Sequence, residues 1–176
     1  MKRIALLSDT HSHLDDQMIR LLEECDEIWH AGDIGSSTVT DRLMLIKPLK
    51  AVCGNIDGTD LRRQFPSILR FHCEGVDVLM THIGGYPGHY ERNLLPLLKN
   101  NPPKLFIAGH SHILKVIFDP KFQLLHINPV AAGQQGFHLV RTMVRFTIDG
   151  DQIKDMEVVE FGKRGALRTE TGTTPV

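Results

Sequence analysis

Short apolar runs alternate with helix-period segments through the first third of the chain, and that order leaves few folds open. Arg3–Ser8 is an apolar run of strand length, and Leu14, Met18, Leu21 and Leu22 then recur at helical spacing. Glu27–Ala31 reads as a second short strand and Leu49–Cys53 as a third. Between them, Thr38-x-x-Asp41 resembles a capping box opening a helix that carries Val39, Leu43 and Ile46. A β-α-β-α-β order predicts an α/β domain whose first strands run parallel.

The pattern then changes. Ile68–Cys73, Glu74-Gly75 and Val76–Thr81 read as a hairpin, and a helix is expected over Tyr90–Lys99, with Pro96 obscuring its start. Lys104–Ala108 is an apolar strand ending at Gly109, and the rest reads as strand: Ile113–Phe118, a turn at Asp119-Pro120, then Gln123–Asn128. Val140, Thr142, Val144, Phe146 and Ile148 alternate, which predicts a half-buried strand, followed by an Asp149-Gly150 turn and a last strand near Ile153–Phe161. Two packed sheets with outer helices fit this order better than one open sheet.

A chain of 176 residues suffices for one domain with a proper core and is short for two. The expected domain spans 1–162; residues 163–176 lack apolar periodicity and are expected to form a flexible tail. A net charge of -1 without any Lys/Arg run argues against a duplex nucleic-acid partner. The opening MKRIALLSDTHSH holds only a short apolar run, and nothing approaches membrane-spanning length, so a cytoplasmic protein without a membrane partner is expected. Cys25, Cys53 and Cys73 are odd in number and form no Cys-x-x-Cys pair, which fits reduced, apolar core residues.

Polar residues interrupt this pattern at particular places. Asp9-Thr10-His11 follows the first strand, Gly32-Asp33 the second and Gly54-Asn55 the third; His82 follows Val76–Thr81, and Gly109-His110-Ser111-His112 follows Lys104–Ala108. Each cluster lies at the carboxyl end of a predicted strand, the edge where α/β folds bind ligands. Carboxylate, imidazole and amide oxygen together suit a borderline divalent cation such as Mn²⁺, Zn²⁺ or Fe²⁺. Each dipeptide alone is an ordinary turn, and a single histidine is more often a core residue than a ligand. The ordered set of five is what carries the metal reading. The preceding glycines are expected to let the backbone turn each side chain toward one point.

Asp-x-His, Gly-Asp, Gly-Asn, His and Gly-His-x-His in this order resemble the calcineurin-like metallophosphoesterase superfamily, and within it the small single-domain phosphodiesterases of bacteria and archaea, whose fold a retromer scaffold subunit shares. The resemblance runs from about Lys2 to about Phe161. It implies a four-layer αββα sandwich, two facing mixed sheets flanked by helices. It also implies two divalent metal ions, Mn²⁺ foremost, with Zn²⁺, Fe²⁺ or Ni²⁺ as alternatives. Asp9, His11 and His112 would hold one ion, Asn55, His82 and His110 the other, and Asp33 would bridge them. Asp33, Asn55 and His82 are then the expected catalytic residues. Two cations about 3.5–4 Å apart can share a carboxylate and lower the pKa of a bridging water until it attacks phosphorus as hydroxide.

Two departures from the family pattern stand out. Many members carry a histidine directly after the Asn, able to protonate the leaving group; here Ile56 stands there, as is common in the small-phosphodiesterase branch. The family's late Asn-Pro-Gly turn reads Asn128-Pro129-Val130. Asp57 reads either as support for the metal ligands or as a turn residue. His30 is expected to hydrogen-bond beneath the site, while His13, His72, His126 and His138 are assigned packing or surface roles. His89 and Tyr86, in the Gly/Pro-rich loop after His82, are the expected substrate contacts.

The resulting expectation is a metal-dependent phosphodiesterase acting on small-molecule or activated phosphodiesters, with a homo-oligomer left open. A phosphomonoesterase or nucleotide pyrophosphatase using the same site is the first alternative, and a non-enzymatic scaffold the second.

Overall fold

The first sheet grows by the expected alternation. In the computed structural model, which describes residues 1–165, β1 (Lys2–Leu7), α1 (Asp16–Glu23), β2 (Glu27–His30), α2 (Ser37–Ile46) and β3 (Leu49–Ala51) form two crossovers that leave the three strands parallel. A short α3 (Thr59–Gln64) precedes the hairpin of β4 (Ile68–Cys73) and β5 (Val76–Thr81). A two-stranded ribbon, β6 (Gly85–Tyr86) and β7 (His89–Tyr90), leads to α4 (Leu95–Asn100) and β8 (Leu105–Ile107). The antiparallel pair β9 (Lys115–Asp119) and β10 (Leu124–Asn128) follows, then the long hairpin β11 (Val140–Asp149) and β12 (Gln152–Lys163). The orders are β12-β11-β1-β2-β3 in one sheet and β4-β5-β8-β10-β9 in the other. Both sheets are mixed, as expected. β12 ends at Lys163, one residue past the expected domain boundary, and residues 166–176 of the expected tail lie outside the described residues.

Strand alternation explains the layering. On β1, Ile4 and Leu6 pack with Val78, Met80, Leu105 and Ile127 in the layer between the sheets. Ala5 and Leu7 point the other way, onto Met18 and Leu22 of α1 and Val39 and Leu43 of α2. The outer face of the second sheet buries Leu79, Phe106 and Leu124 against Leu94 and Leu98 at α4. Trp29 pins the central layer, meeting Phe71 edge-on at 4.9 Å and Phe146 at 5.6 Å between ring centroids. Cys25, Cys53 and Cys73 are buried and unpaired by any disulfide.

Three expectations change in detail. The cap of α2 is Ser36, whose hydroxyl accepts from the Thr38 amide at 3.1 Å, because Ser36 is the last extended residue and Thr38 already lies in the helix. The helix expected over Tyr90–Lys99 begins only at Leu95. Tyr90 pairs in the ribbon and its hydroxyl donates to Asp119 Oδ2 at 2.7 Å, while Pro96 sits in the first helical turn, where its missing N–H costs nothing. The strand β11, expected to be half-buried, is buried on both faces because it lies between β1 and β12 with a layer above and below. Its arginines are accommodated by pairing: Arg141 donates to Asp15 at 2.9 Å and to the Phe161 carbonyl at 2.8 Å, and Arg145 donates to Glu157 at 2.7 Å. The helix α3 and the ribbon lack any apolar period of their own to announce them.

Glu27 opens β2 as a buried carboxylate that accepts from Lys50 Nζ at 2.6 Å, from Trp29 Nε1 at 3.1 Å and from Lys2. Burial alone would raise its pKa, but these three donors outweigh it and bring the group from 4.5 down to about 2. A carboxyl depressed in the folded state contributes stability that is complete above pH 4.5 and is lost as pH falls toward about 2. Glu27→Gln should therefore flatten the loss of stability across that acid window, measured by urea unfolding at stepped pH. An acid limb as steep as the wild type's would contradict this role.

Candidate metal centre

The loops that leave β1, β2 and β3 carry Asp9 and His11, Asp33, and Asn55; those that leave β5 and β8 carry His82, and His110 with His112. Six of these seven side chains fall into two groups, Asp9–His11–His112 and Asp33–His82–His110, with ligand atoms inside each group within 4.8 Å of one another. The groups adjoin: His11 Nε2 lies 3.8 Å from Asp33 Oδ2, and His82 Nε2 lies 3.9 Å from Asp9 Oδ1. Asn55 lines one cleft together with Asp33, His110 and His112 and another together with His82, so it stands beside the second group.

The backbone is bent to make this possible. Asp9, His11, Asp33, His110 and His112 have φ of 53°, 47°, 53°, 67° and 53°, in the left-handed region that non-glycine residues rarely occupy. Such a residue costs on the order of 1–3 kcal/mol, and clusters of them mark functional loops. The glycine before Asp33 follows the expected logic, since Gly32 has φ 91°. Gly54 serves a different purpose: its φ is not left-handed, but a Cβ there would overlap the Asp33 carboxylate and main-chain nitrogen. Val130 carries φ 71° where the family turn has glycine, so this branched residue is held in strain.

Hydrogen bonds then fix the side chains. His82 Nδ1 donates to the Ala31 carbonyl at 2.8 Å, which leaves Nε2 as a lone-pair donor 3.2 Å from Asp33 Oδ2 without hydrogen-bond geometry. His11 Nε2 is likewise buried without a hydrogen-bond partner. Buried imidazole nitrogens with no partner, set among carboxylate oxygens, are what a bound divalent cation would satisfy, so the residues fit the implied metal. Asp9 receives the Ser8 hydroxyl and the His110 amide on Oδ2, the latter at 3.2 Å, and stands 3.0 Å from His112 Nε2 through Oδ1. Asp33 Oδ1 accepts from the Ile56 amide at 3.1 Å.

Electrostatics follow the same pattern. Burial alone would raise both aspartates, but His112, His82 and Ser8 lower Asp9, and His82, the Ile56 amide and His11 lower Asp33, so both remain charged. Burial alone would lower His82, but the Asp33 and Asp9 carboxylates outweigh it and raise its pKa above the ordinary 6.5. A proton and a metal ion therefore compete for the same nitrogen.

The supporting residues are partly those expected. Asp57 is buried and takes the Gly35 amide at 2.8 Å and the Gly54 amide at 2.7 Å, tying the β2 and β3 loops together. His30 meets Thr10 Oγ1 at 2.9 Å through Nε2 and accepts from the Gly32 amide at 3.2 Å, and burial depresses it to about 4, so it stays neutral beneath the loops. Asn128 donates to the Gly109 carbonyl at 2.8 Å and to Ser111 at 3.1 Å. Two further contributors were not singled out for the site from the sequence, His138 having been assigned a packing or surface role. Arg62 of α3 donates to the carbonyls of Asp57, Gly54 and Asn55 at 2.7, 2.9 and 3.0 Å, and His138 stands edge-on to His112 at 5.3 Å. Neither follows a strand end, and only the folded chain brings them there. His89 and Tyr86 face each other across the ribbon at 4.9 Å and line neither cleft beside Asn55.

A sandwich of two mixed sheets with an Asp/Asn/His cluster at one edge is the layout of the metallophosphoesterase fold, and residues 1–151 match the calcineurin-like phosphoesterase superfamily domain. The chain belongs to that superfamily. A probable metallophosphoesterase of Methanothermobacter thermautotrophicus is 25% identical over 166 residues, covering 90% of this chain and 92% of the relative. Among solved structures, a novel archaeal phosphodiesterase superposes with a TM-score of 0.66 at 20% identity, covering 89% of this chain and 99% of its own. Vps29 of Entamoeba histolytica complexed with Zn²⁺ gives 0.69 at 14% identity, covering 91% and 99%. The fold likeness expected from the sequence motifs is borne out. Among the described residues, no helix is long and apolar enough to cross a membrane.

Because a proton occupies His82 up to a raised pKa, metal affinity should weaken as pH falls through that value, starting above 6.5. Calorimetric titration with Mn²⁺ between about pH 8 and pH 6 reads this directly, and a flat affinity across the range would remove His82 from the ligand set. Asp33→Asn should lower the metal content of both groups by elemental analysis, since Asp33 lies close to both.

Proposed function

We propose that this protein is a phosphodiesterase that works with two divalent metal ions, Mn²⁺ foremost, on small-molecule or activated phosphodiesters. The observation that carries this reading is the pair of adjoining ligand groups, each with a carboxylate and two imidazoles, beside an open cleft. Bound there, two divalent ions would supply Lewis acidity and an activated water. The ligands' own charge is -2, from Asp9 and Asp33, so four positive charges would leave a surplus that suits an anionic ester. Neutral Asn55 preserves that surplus where a third carboxylate would reduce it.

The protein's part is positioning. Asp57 and Arg62 hold the main chain on either side of Asn55, so its amide reaches the cleft from a rigid loop. The Ile56 amide orients the Asp33 carboxylate, and His82 is locked in one tautomer by Ala31. Ile56 is 46% exposed beside Asn55, where a proton-donating side chain would stand in many relatives. With no donor there, a departing alkoxide receives no proton from this loop. A non-enzymatic scaffold is the second reading, which the likeness to Vps29 favours.

Metal-reconstituted protein should hydrolyse diesters with good leaving groups, such as nitrophenolate, about 10²–10⁴-fold faster than simple alkyl diesters, the usual worth of general acid catalysis. Ile56→His should narrow that gap by helping alkyl leaving groups selectively. A rate independent of leaving-group pKa, with chemistry rate-limiting, would mean that another donor exists. Metal binding without turnover of any diester, monoester or dinucleotide would favour the scaffold.

A further inference from the structure

Two clefts share Asn55 in their lining. One, of about 290 Å³, is lined by Arg62, Ser67, Ile68, Ile83 and Asn93 and reaches His82. The other, of about 400 Å³, passes over His11, Asp33, His110 and His112 and is walled by Ile56 and Phe137. Asn55 lines both, so a phosphate held at its amide would border the two clefts. A monoester has one organic arm to place, and a diester has two.

Phe137 is 99% exposed, so its ring packs against nothing in the protein. An aromatic ring left in water forgoes the gain of burying its apolar surface. The Gly133 amide donates to the Asp9 carbonyl at 3.1 Å, and His138 Nε2 meets the Gly133 carbonyl at 3.0 Å. Gly136, at φ 120°, lies so close to His112 that a Cβ would overlap the imidazole. The segment is thus tied to Asp9 at Gly133 and closed on itself by the His138–Gly133 bond, with His138 edge-on to His112 at 5.3 Å and the exposed Phe137 ring between Gly136 and His138. Ile56 lines the same cleft, and its main chain is held by the amide donating to Asp33 Oδ1 at 3.1 Å. Both apolar side chains are referenced through the main chain to the residues that would hold the phosphate.

We propose that Ile56 and Phe137 form an apolar clamp for a flat, aromatic substituent of a phosphodiester, an aryl group or a nucleobase, with the second substituent in the cleft beyond Asn55. The inference rests on the phosphoesterase reading for the identity of the ligand. An aromatic face beside a phosphate site binds flat rings by stacking, while the branched aliphatic side chain closes the other side.

The test is calorimetric binding of diphenyl phosphate and dimethyl phosphate to the full-length, metal-reconstituted protein and to Phe137→Ala and Phe137→Trp. Because the ring is solvent-exposed, neither substitution endangers the fold, and metal content and thermal midpoint serve as controls. Wild type should prefer diphenyl phosphate, Phe137→Ala should weaken it about tenfold more than dimethyl phosphate, and Phe137→Trp should restore it. No binding of diphenyl phosphate, an equal loss for both ligands, or no loss for either would overturn the clamp. Binding that depends on Phe137 without hydrolysis of any ester would uphold the clamp and defeat the phosphoesterase reading. Hydrolysis of diesters indifferent to Phe137 would do the reverse.

Discussion

The apolar layer between the two sheets is the constraint on which the site depends. Ile4, Leu6 and Trp29 from one sheet and Val78, Met80 and Ile107 from the other are buried against one another. That burial fixes how the sheets face. Once it does, the loops leaving β1, β2 and β3 meet the loops leaving β5 and β8, and Asp9 comes within 3.0 Å of His112 across 103 residues of chain. Burial of this kind is worth about 25 cal/mol per Å² of apolar surface and is non-directional. The directional accuracy must come from elsewhere.

It comes from strained backbone and saturated hydrogen bonds. Five left-handed candidate ligand residues, at on the order of 1–3 kcal/mol each, are a local burden that the packed sheets beneath them must offset. Asp57, Arg62 and Asn128 spend their polar groups on main-chain atoms of the ligand loops. Loops held this way are set before any ligand arrives, which is the condition for electrostatic catalysis without reorganisation.

The centre also holds two buried carboxylates among four imidazoles, charged groups that desolvation opposes. Mutual pairing keeps Asp9 and Asp33 ionised and draws a proton onto His82. His30, one layer down, has no such partner and remains neutral. The same sheet edge therefore contains one histidine drawn toward its charged form and one held toward its neutral form, separated by what each ring touches.

How much of this was legible in the chain follows from where the information is stored. Asp9, His11, Asp33, Asn55, His82, His110 and His112 could be picked out because each follows an apolar run, and strand ends of an α/β fold share an edge by topology. The sandwich could be read for the same reason, from a 3.6-residue period giving way to alternation. The cap at Ser36, the late start of α4 and the burial of β11 were misread or missed, because each depends on a neighbour rather than on local pattern. Arg62, His138 and Phe137 had no local signature at all. Local sequence determined the elements, the candidate ligand residue types and the absence of a proton-donating side chain at Ile56, since these are properties of single residues and short periods. Only the tertiary structure decided which groups adjoin, which histidine nitrogen is left unpartnered and which aromatic ring stands at the cleft, because distances across a hundred residues are set by packing.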